Sequence, residues 1–166
     1  MFVTTDDVCL ENLRFFHYWD KIKMMKPNLK LIAFTIANYK DEQNVAESKE
    51  FKSWFDAHRS WVEIGVHGYD HLFLPEQERD DAEELVMKSL EILKNFLPEN
   101  HLYRPPGFQR TIQTEPMLKR LGFGGIAYQA RIKMFDGRVI EPILNTHCCD
   151  RDFNPVTEWR EWINLI

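Results

Sequence analysis

The nine residues LKLIAFTIA, at positions 29–37, decide the fold class of this chain. All of them except Lys30 and Thr35 are apolar, so a strand formed here would be covered on both of its faces. Such a strand is typical of a parallel sheet with helices packed against it. We therefore expect this run to lie inside an α/β domain.

The segments around this run alternate between strand and helix patterns. Strands are predicted over 2–5, 62–66 and 102–104, and helices over 11–25, 48–58, 77–97, 115–121 and 154–166. Asp136-Gly137 is a two-residue hairpin signal between predicted strands at 126–135 and 139–145. In the 62–66 strand, Val62, Ile64 and Val66 would face helices, and Glu63, Gly65 and His67 a tighter, more polar space.

This alternation predicts one α/β domain that covers residues 1–166. A complete eight-unit barrel takes about 250 residues, so the 166 residues of this chain favour an incomplete (β/α) barrel or a small doubly wound sheet. In both architectures, functional groups gather at the carboxyl ends of the strands.

Composition and charge exclude several classes of function. The net charge of −5 provides no basic surface for nucleic acid, and no apolar stretch is long enough to cross a bilayer. The N-terminus, MFVTTDDV, shows no signal peptide. Three cysteines, of which Cys148 and Cys149 are adjacent, predict reduced thiols and a cytoplasmic location.

Polar side chains follow four of the predicted strands. They are Asp6 and Asp7, the histidines of HGYDH at 67–71, Arg104, and His147. His67 and His71 are four residues apart, a spacing that suits two imidazole ligands of one metal, and Asp7 would complete a three-ligand set that leaves positions open for water and substrate. The alternatives are two unconnected loop histidines, and an acidic pair that caps the following helix.

Three further side chains have predicted catalytic roles. Asp6 would be the base toward a metal-activated water, Arg104 would orient it, and His147 would be the general acid that protonates the leaving group. Taken singly, Arg104 is more typical of a surface arginine before a turn than of a catalytic residue, and His147 is more typical of a packed or exposed histidine. His17, His58 and His101 lie without evident partners, and we assign them no role.

Together these residues resemble the motifs of the NodB-like polysaccharide deacetylases, which are metal-dependent carbohydrate esterases. TTDD at 4–7, HGYDH at 67–71, RPPGF at 104–108 and LNTH at 144–147 are similar to the family's T-F-D-D, H-[ST]-x-x-H, R-x-P-x-G and L-x-x-H. The resemblance implies a distorted, incomplete TIM-like barrel and one divalent metal ion, usually zinc. It also implies that Asp7, His67 and His71 bind the metal, and that Asp6 (base), Arg104 and His147 (acid) are catalytic.

The chain departs from these motifs at three places. Gly68 replaces a hydroxyl residue, so a hydrogen bond around the metal is expected to be missing. The glycine of the third motif comes one place early, which makes the Gly107 amide the candidate oxyanion donor. The family's Asp-rich fourth motif has no match, although Asp150 or Asp152 would lie close enough in sequence to contact His147. Tyr69 and Phe108 are candidate sugar-binding surfaces.

The function predicted on these grounds is the removal of an acetyl group from an N-acetylated sugar or polysaccharide. A metal-dependent amidase that acts on a small non-sugar amide is one alternative. An iron oxygenase is another, because two histidines and a carboxylate also suit non-haem iron. A non-catalytic glycan- or metal-binding relative is the third. The sequence leaves the oligomeric state open.

Overall fold

Strands and helices alternate along most of the chain. The computed structural model describes residues 2–72, 76–147 and 163–166. In chain order, the strands are β1 (Phe2–Val8), β2 (Lys30–Thr35), β3 (Asn38–Tyr39), β4 (Gln43–Asn44), β5 (Val62–Val66), β6 (Leu102–Tyr103), β7 (Gly125–Ala127), β8 (Ile132–Met134), β9 (Val139–Ile140) and β10 (Leu144–His147). The helices are α1 (His17–Met25), α2 (Lys49–His58), α3 (Ala82–Leu93) and α4 (Thr114–Arg120), with 3-10 turns at Leu10–Phe15, Val45–Glu47, Glu76–Glu78 and Pro106–Phe108.

Eight of these strands form one open sheet in the order β10-β1-β2-β5-β6-β7-β8-β9. Every neighbouring pair from β10 to β7 is parallel, whereas β8 runs antiparallel to β7 and β9. Within the described residues, β9 and β10 are the two edges of the sheet. The predicted α/β class and the open, incomplete barrel are confirmed.

The sheet separates two hydrophobic clusters. The larger one joins helical residues such as Trp19 and Phe51 to strand residues that include Leu31 and Ala33 of β2. The smaller one is made by strand residues alone, among them Ile32 and Phe34 of the same strand. Strand β2 is therefore covered on both faces, as its nearly continuous apolar sequence predicted.

Strand β5 alternates between these two sides of the sheet. Val62, Ile64 and Val66 belong to the larger cluster. Gly65 pairs with Phe34 of β2, and a Cβ added at Gly65 would stand 2.5 Å from Cδ1 of that ring. The tighter space predicted beside Gly65 is thus filled by the side chain of Phe34.

The first predicted helix, over 11–25, is wrong in its first half. Residues Leu10–Phe15 form a 3-10 turn, and α-helix begins only at His17. The buried side chains here are Leu13, Phe16, Trp19 and Ile22, which recur every three residues. Because side chains three apart eclipse one another in a 3-10 helix, this spacing suits the tighter geometry at the start of the segment.

Three other predicted elements are corrected. The helix expected over 77–97 covers only Ala82–Leu93, because Glu76–Glu78 form a separate turn. The strand expected over 126–135 is two strands, since the amide of Tyr128 donates to the carbonyl of Arg131 and turns the chain back. The segment 139–145 likewise contains β9, which pairs with β8 around Asp136-Gly137 as predicted, and β10, which pairs with β1.

Other predictions remain untested. No helix in residues 2–72, 76–147 and 163–166 has the length and apolar character needed to span a membrane. The cytoplasmic location and the single domain stay predictions. Cys148, Cys149, Asp150, Asp152 and the body of the helix predicted over 154–166 lie outside the described residues.

Candidate metal centre

The two acidic residues of β1 lie in an irregularity at the end of that strand. The pairing of β1 with β2 shifts register between Thr5 and Val8, and Asp7 has a positive φ of 56°. In a regular strand, neighbouring side chains point to opposite faces. Because the register shift re-aims a side chain, Asp6 and Asp7 can both lie in the site at the same end of the sheet. They do not cap the following helix, because Cys9 occupies that N-cap position.

The three predicted metal ligands meet at this bulge. Oδ1 of Asp7 lies 3.1 Å from Nε2 of His67 and 3.0 Å from Nε2 of His71. Because zinc bonds to nitrogen and oxygen are about 2.0–2.2 Å long, ligand atoms around one ion lie about 3–4 Å apart. The three ligand atoms all lie within 4.8 Å of one another, so a small adjustment of the side chains would let one ion reach them all.

The other nitrogen of His67 fixes which ring atom faces Asp7. Nδ1 of His67 lies 2.9 Å from the backbone carbonyl oxygen of Arg104. A carbonyl oxygen only accepts hydrogen bonds, so Nδ1 carries the proton and donates it. In the neutral ring, Nε2 then presents its lone pair toward Asp7, which is the arrangement found in histidines that bind metals.

His71 lies in a left-handed turn, with a φ of 55°. Burial lowers the pKa of His71, but the hydrogen bond that His71 donates to Asp7 and the negative charge of Asp7 outweigh burial, so the pKa lies above its ordinary value. Asp7 therefore favours positive charge between these side chains. A divalent cation bound between them would supply that positive charge. The donor set of two imidazoles and one carboxylate fits such an ion.

Arg104 lies fully buried beside Asp6. Its Nη1 is 3.4 Å from Oδ2 of Asp6, and its guanidinium carbon lies 4.1 Å from the centroid of the Phe34 ring. Burial lowers the pKa of Arg104 to about 10, although the charge of Asp6 opposes this shift. Arg104 therefore stays cationic at neutral pH and holds a positive charge next to Asp6, as the sequence predicted.

Two polar residues that sequence reasoning missed connect Arg104 to the neighbouring strands. Nη2 of Arg104 donates to Oγ1 of Thr4 at 2.9 Å, and the Thr4 hydroxyl donates to Oδ1 of Asn145 at 2.6 Å. Each lies two residues before a predicted catalytic residue, Thr4 before Asp6 and Asn145 before His147. The period of two along a strand was the signal that could have identified them.

The backbone of His147 lies next to that of Asp6. Strand β10 pairs with β1 in a parallel register that sets His147 opposite Asp6. The predicted acid and the predicted base are thus neighbours on adjacent strands. The side chain of His147 lies outside the described part of the structure, and its role stays a prediction.

The three predicted substrate-binding residues have different surroundings. The Tyr69 hydroxyl donates to Asp41 at 2.8 Å and accepts from Asn38 at 3.0 Å, so it is already engaged by polar neighbours. The Phe108 ring lies 5.8 Å from the Arg104 guanidinium carbon, at the edge of the site. Gly107 has a φ of 58°. The roles of all three in binding substrate stay predictions.

The structure explains why position 68 is a glycine rather than a hydroxyl residue. Gly68 has a φ of +79°, and a Cβ there would stand 2.5 Å from Oε1 of Glu76 and 2.6 Å from Cγ of Pro106. Glu76, which is 1% exposed, occupies the space that a side chain at position 68 would need. Sequence reasoning missed Glu76, because no spacing or motif singled it out.

Comparison with known proteins supplies the family of this fold. No family model and no curated protein matches the chain, but solved structures do. A CE4 family pseudoenzyme from Bacillus anthracis matches with a TM-score of 0.65 and 13% identity, over 99% of this chain and 60% of that one. The fold is that of the family 4 carbohydrate esterases.

Two further family 4 structures match over nearly the whole chain. The CE4 domain of a multidomain xylanase from the hindgut metagenome of Trinervitermes trinervoides has a TM-score of 0.63 at 12% identity, over 98% of this chain and 78% of that one. A family 4 acetyl xylan esterase from Clostridium thermocellum, in complex with a cobalt ion, has a TM-score of 0.56 at 13% identity, over 99% and 82%. The fold expected from the NodB-like motifs is confirmed, and the chain spans about 60% of the length of the Bacillus anthracis protein.

Proposed function

We propose that this chain is a metal-dependent hydrolase that removes an acetyl group from an N-acetylated sugar. One arrangement carries the proposal. The donor atoms of Asp7, His67 and His71 converge, and the neighbouring residue in the chain, Asp6, is a separate buried carboxyl group that pairs with Arg104. A site that only bound a metal would not need the second carboxylate. The matching solved structures, which include an acetyl xylan esterase, support a reaction in which an acetyl group is removed from a carbohydrate.

The metal ion, zinc in our proposal, would polarise the acetyl carbonyl and lower the pKa of a water molecule. Asp6 accepts a proton from the attacking water. Arg104 keeps Asp6 oriented, because its guanidinium is itself held by Thr4 and stacked on Phe34. His147 returns a proton to the departing amine, and the Gly107 amide donates to the developing oxyanion.

Acetate release tests this function directly. The purified protein, incubated with N-acetylglucosamine oligomers, should release acetate, lose that activity in EDTA and recover it when zinc is added back. An apo protein that releases acetate as fast as the metal-loaded protein would contradict the proposal. So would a fully metal-loaded protein that turns over none of a panel of acetylated sugars.

The panel should also contain O-acetylated xylan, because two of the matching structures are named as a xylanase domain and an acetyl xylan esterase. Ester and amide differ at the leaving atom. An alkoxide leaves from an ester and an amine from an amide, so a His147→Ala variant should slow amide cleavage more than ester cleavage. Turnover of a small non-sugar amide alone would instead favour the amidase, and glycan binding without turnover would favour the non-catalytic relative.

A further inference from the structure

The turn that carries His67 and His71 is held in an unusual backbone conformation. Gly68 and His71 both have positive φ, at 79° and 55°, and a non-glycine residue adopts such a conformation only when its surroundings enforce it. Because this turn sets the distance between the two histidines, whatever enforces it also sets the geometry of the candidate metal centre.

The carboxylate of Glu76 provides that constraint from inside the protein. Its Oε1 accepts hydrogen bonds from the backbone amides of Tyr69 and Asp70, the two residues between Gly68 and His71. Its Oε2 accepts from the hydroxyl of Tyr103, which in turn accepts from the Gln77 side chain at 2.9 Å. The carboxylate is therefore fixed on one side by β6 and on the other by the turn.

Further contacts secure the rest of the same turn. The amides of Ala37 and Asn38 donate to the carbonyls of Gly68 and Tyr69. The side chain of Asp70, 3% exposed, pairs with Arg79 at 2.9 Å. None of these contacts involves the backbone amides of Tyr69 and Asp70, which would lose this hydrogen-bond acceptor without Glu76.

We propose that Glu76 is the positioning residue of the metal centre: it fixes the turn that carries His67 and His71. Its carboxylate occupies the space that a side chain at position 68 would otherwise fill. This inference rests on the proposed function, since it assumes that His67 and His71 bind a metal. Glu76 acts through the backbone of the turn, and Gly68 is required because any Cβ there would collide with the carboxylate.

The turn needs the acceptor oxygen of Glu76 rather than its charge. Two amide donors bind a single oxygen, and a glutamine amide offers a carbonyl oxygen at the same place. Its amino group can donate to the Tyr103 hydroxyl, which also has acceptor capacity. Glu76→Gln should therefore preserve the turn, whereas Glu76→Ala should release it.

The test measures zinc affinity and backbone protection on the same set of variants. Zinc affinity is obtained by competition with a chromophoric chelator, and amide hydrogen exchange at Tyr69 and Asp70 is followed in the metal-free protein. We expect Glu76→Ala to weaken zinc binding about 10- to 100-fold, the usual effect of removing a group that orients metal ligands. The two amides should exchange faster in the same variant.

The comparison variants make the result specific. Glu76→Gln should stay within about 3-fold of the wild type, since each residue is within hydrogen-bonding reach of the same amides. Glu78→Ala, an exposed residue of the same 3-10 turn, should change neither readout. If Glu76→Ala does not fold, a Glu76→Gln variant that loses zinc affinity overturns the role of the acceptor oxygen.

Each remaining outcome also decides the inference. Unchanged zinc affinity in a folded Glu76→Ala variant overturns it and leaves the proposed function intact. A wild type that binds no zinc contradicts the proposed function instead. The role of Glu76 at a metal centre falls with it, and amide exchange then tests only whether Glu76 holds the turn: faster exchange in Glu76→Ala alone supports that, and equal exchange in all variants overturns it.

Discussion

Asp6 and Asp7 are neighbours in the chain with separate electrostatic partners. Asp7 faces two histidines, and Asp6 faces a buried arginine. This separation lets one carboxylate bind a cation while the other remains beside a fixed positive charge. The function proposed here depends on that division of roles.

Substitution of Asp6 tests the division. Asp6→Asn keeps the size of the side chain but removes the proton acceptor, so kcat for acetate release should fall about 10²- to 10⁴-fold. The zinc content should be unchanged, because Asp7, His67 and His71 are intact. Steady-state kinetics and elemental analysis of the same preparation check both statements, and an Asp6→Asn variant with wild-type kcat refutes the role of Asp6 as base.

The buried pair of Asp6 and Arg104 also affects stability. Arg104→Met leaves Asp6 buried without its cation, and the free energy of unfolding should fall by about 3–5 kcal/mol. The double variant Asp6→Asn/Arg104→Met contains no unpaired charge, so it should recover part of this loss. Urea unfolding of the three proteins gives the values. A double variant less stable than Arg104→Met would contradict this account of the pair.

At this scale, the sequence predicted which three side chains converge and missed the residues that support them. Asp7 lies at the end of β1, whereas His67 and His71 follow β5. The rule that parallel strands gather their carboxyl ends is enough to bring the three together. Glu76 and Asn145 support the site from elsewhere in the chain, through contacts that depend on the folded backbone. The period of two along β10 could have pointed to Asn145, whereas no spacing within one segment indicates the contacts of Glu76.

Among the elements, β5 and β2 are packed so closely that only glycine fits at one position. Gly65 allows the Phe34 ring to lie against β5, and the same ring supports the Arg104 guanidinium. Because Gly65 has no Cβ, the Phe34 ring can take this place, and Gly65 therefore influences the position of Arg104 beside Asp6.

Gly65→Ala should disturb both packing and catalysis. The added Cβ would stand 2.5 Å from Phe34, and such overpacking costs about 1–3 kcal/mol. The ring must move, so kcat should fall as well. Adding Phe34→Leu should recover part of the stability, because a smaller side chain leaves room for the methyl group. Thermal unfolding and kinetics of both variants check this; a neutral Gly65→Ala variant would contradict it.

Helices α1 and α2 are joined by a histidine that the sequence left without a partner. Nε2 of His58 on α2 lies 2.8 Å from Oδ1 of Asp20 on α1. Burial lowers the pKa of His58, but the hydrogen bonds to Asp20 and to the Trp54 carbonyl outweigh it, so the pKa lies above its ordinary value of 6.5. The expectation that His58 lacks a partner is wrong.

A raised pKa in the folded state means that protonated His58 stabilises the fold. The contribution is fully present below the unfolded pKa of 6.5 and is lost as the pH rises through the higher folded value. In acid, the free energy of unfolding of the wild type should exceed that of Asp20→Asn by up to about 1 kcal/mol. The difference is limited to this size because Asp20 is partly exposed to solvent. Urea unfolding at several pH values, with Asp56→Asn on α2 as control, measures the gap. A gap that widens as the pH rises contradicts the sign.

The sequence predicted the type of most elements better than their bounds. Long apolar or amphipathic runs at 29–37 and 77–97 do contain β2 and α3. The segment 139–145, in contrast, divides into β9 and β10 because each piece pairs with a different strand. Which strand a short segment pairs with depends on the whole sheet, so local alternation could not reveal the division.

On the scale of the whole molecule, the return of β10 to β1 completes the candidate site. The last described strand pairs with the first, and their register brings His147 beside Asp6. The length of the chain predicted an incomplete barrel or a small doubly wound sheet. The polar residues after four predicted strands predicted which side chains share its carboxyl end. The position of β10 at the edge next to β1 had no signal in the sequence, although the site depends on it.

Metal binding by the wild type, His71→Ala and His17→Ala is the measurement that tests the central claim most directly. Calorimetric titration with zinc should give one ion per wild-type chain and no comparable binding in His71→Ala, which lacks one of three ligands. His17→Ala, which removes an exposed histidine, should bind as the wild type does. If no protein binds zinc, or if His71→Ala binds it as tightly as the wild type, the centre formed by Asp7, His67 and His71 is contradicted.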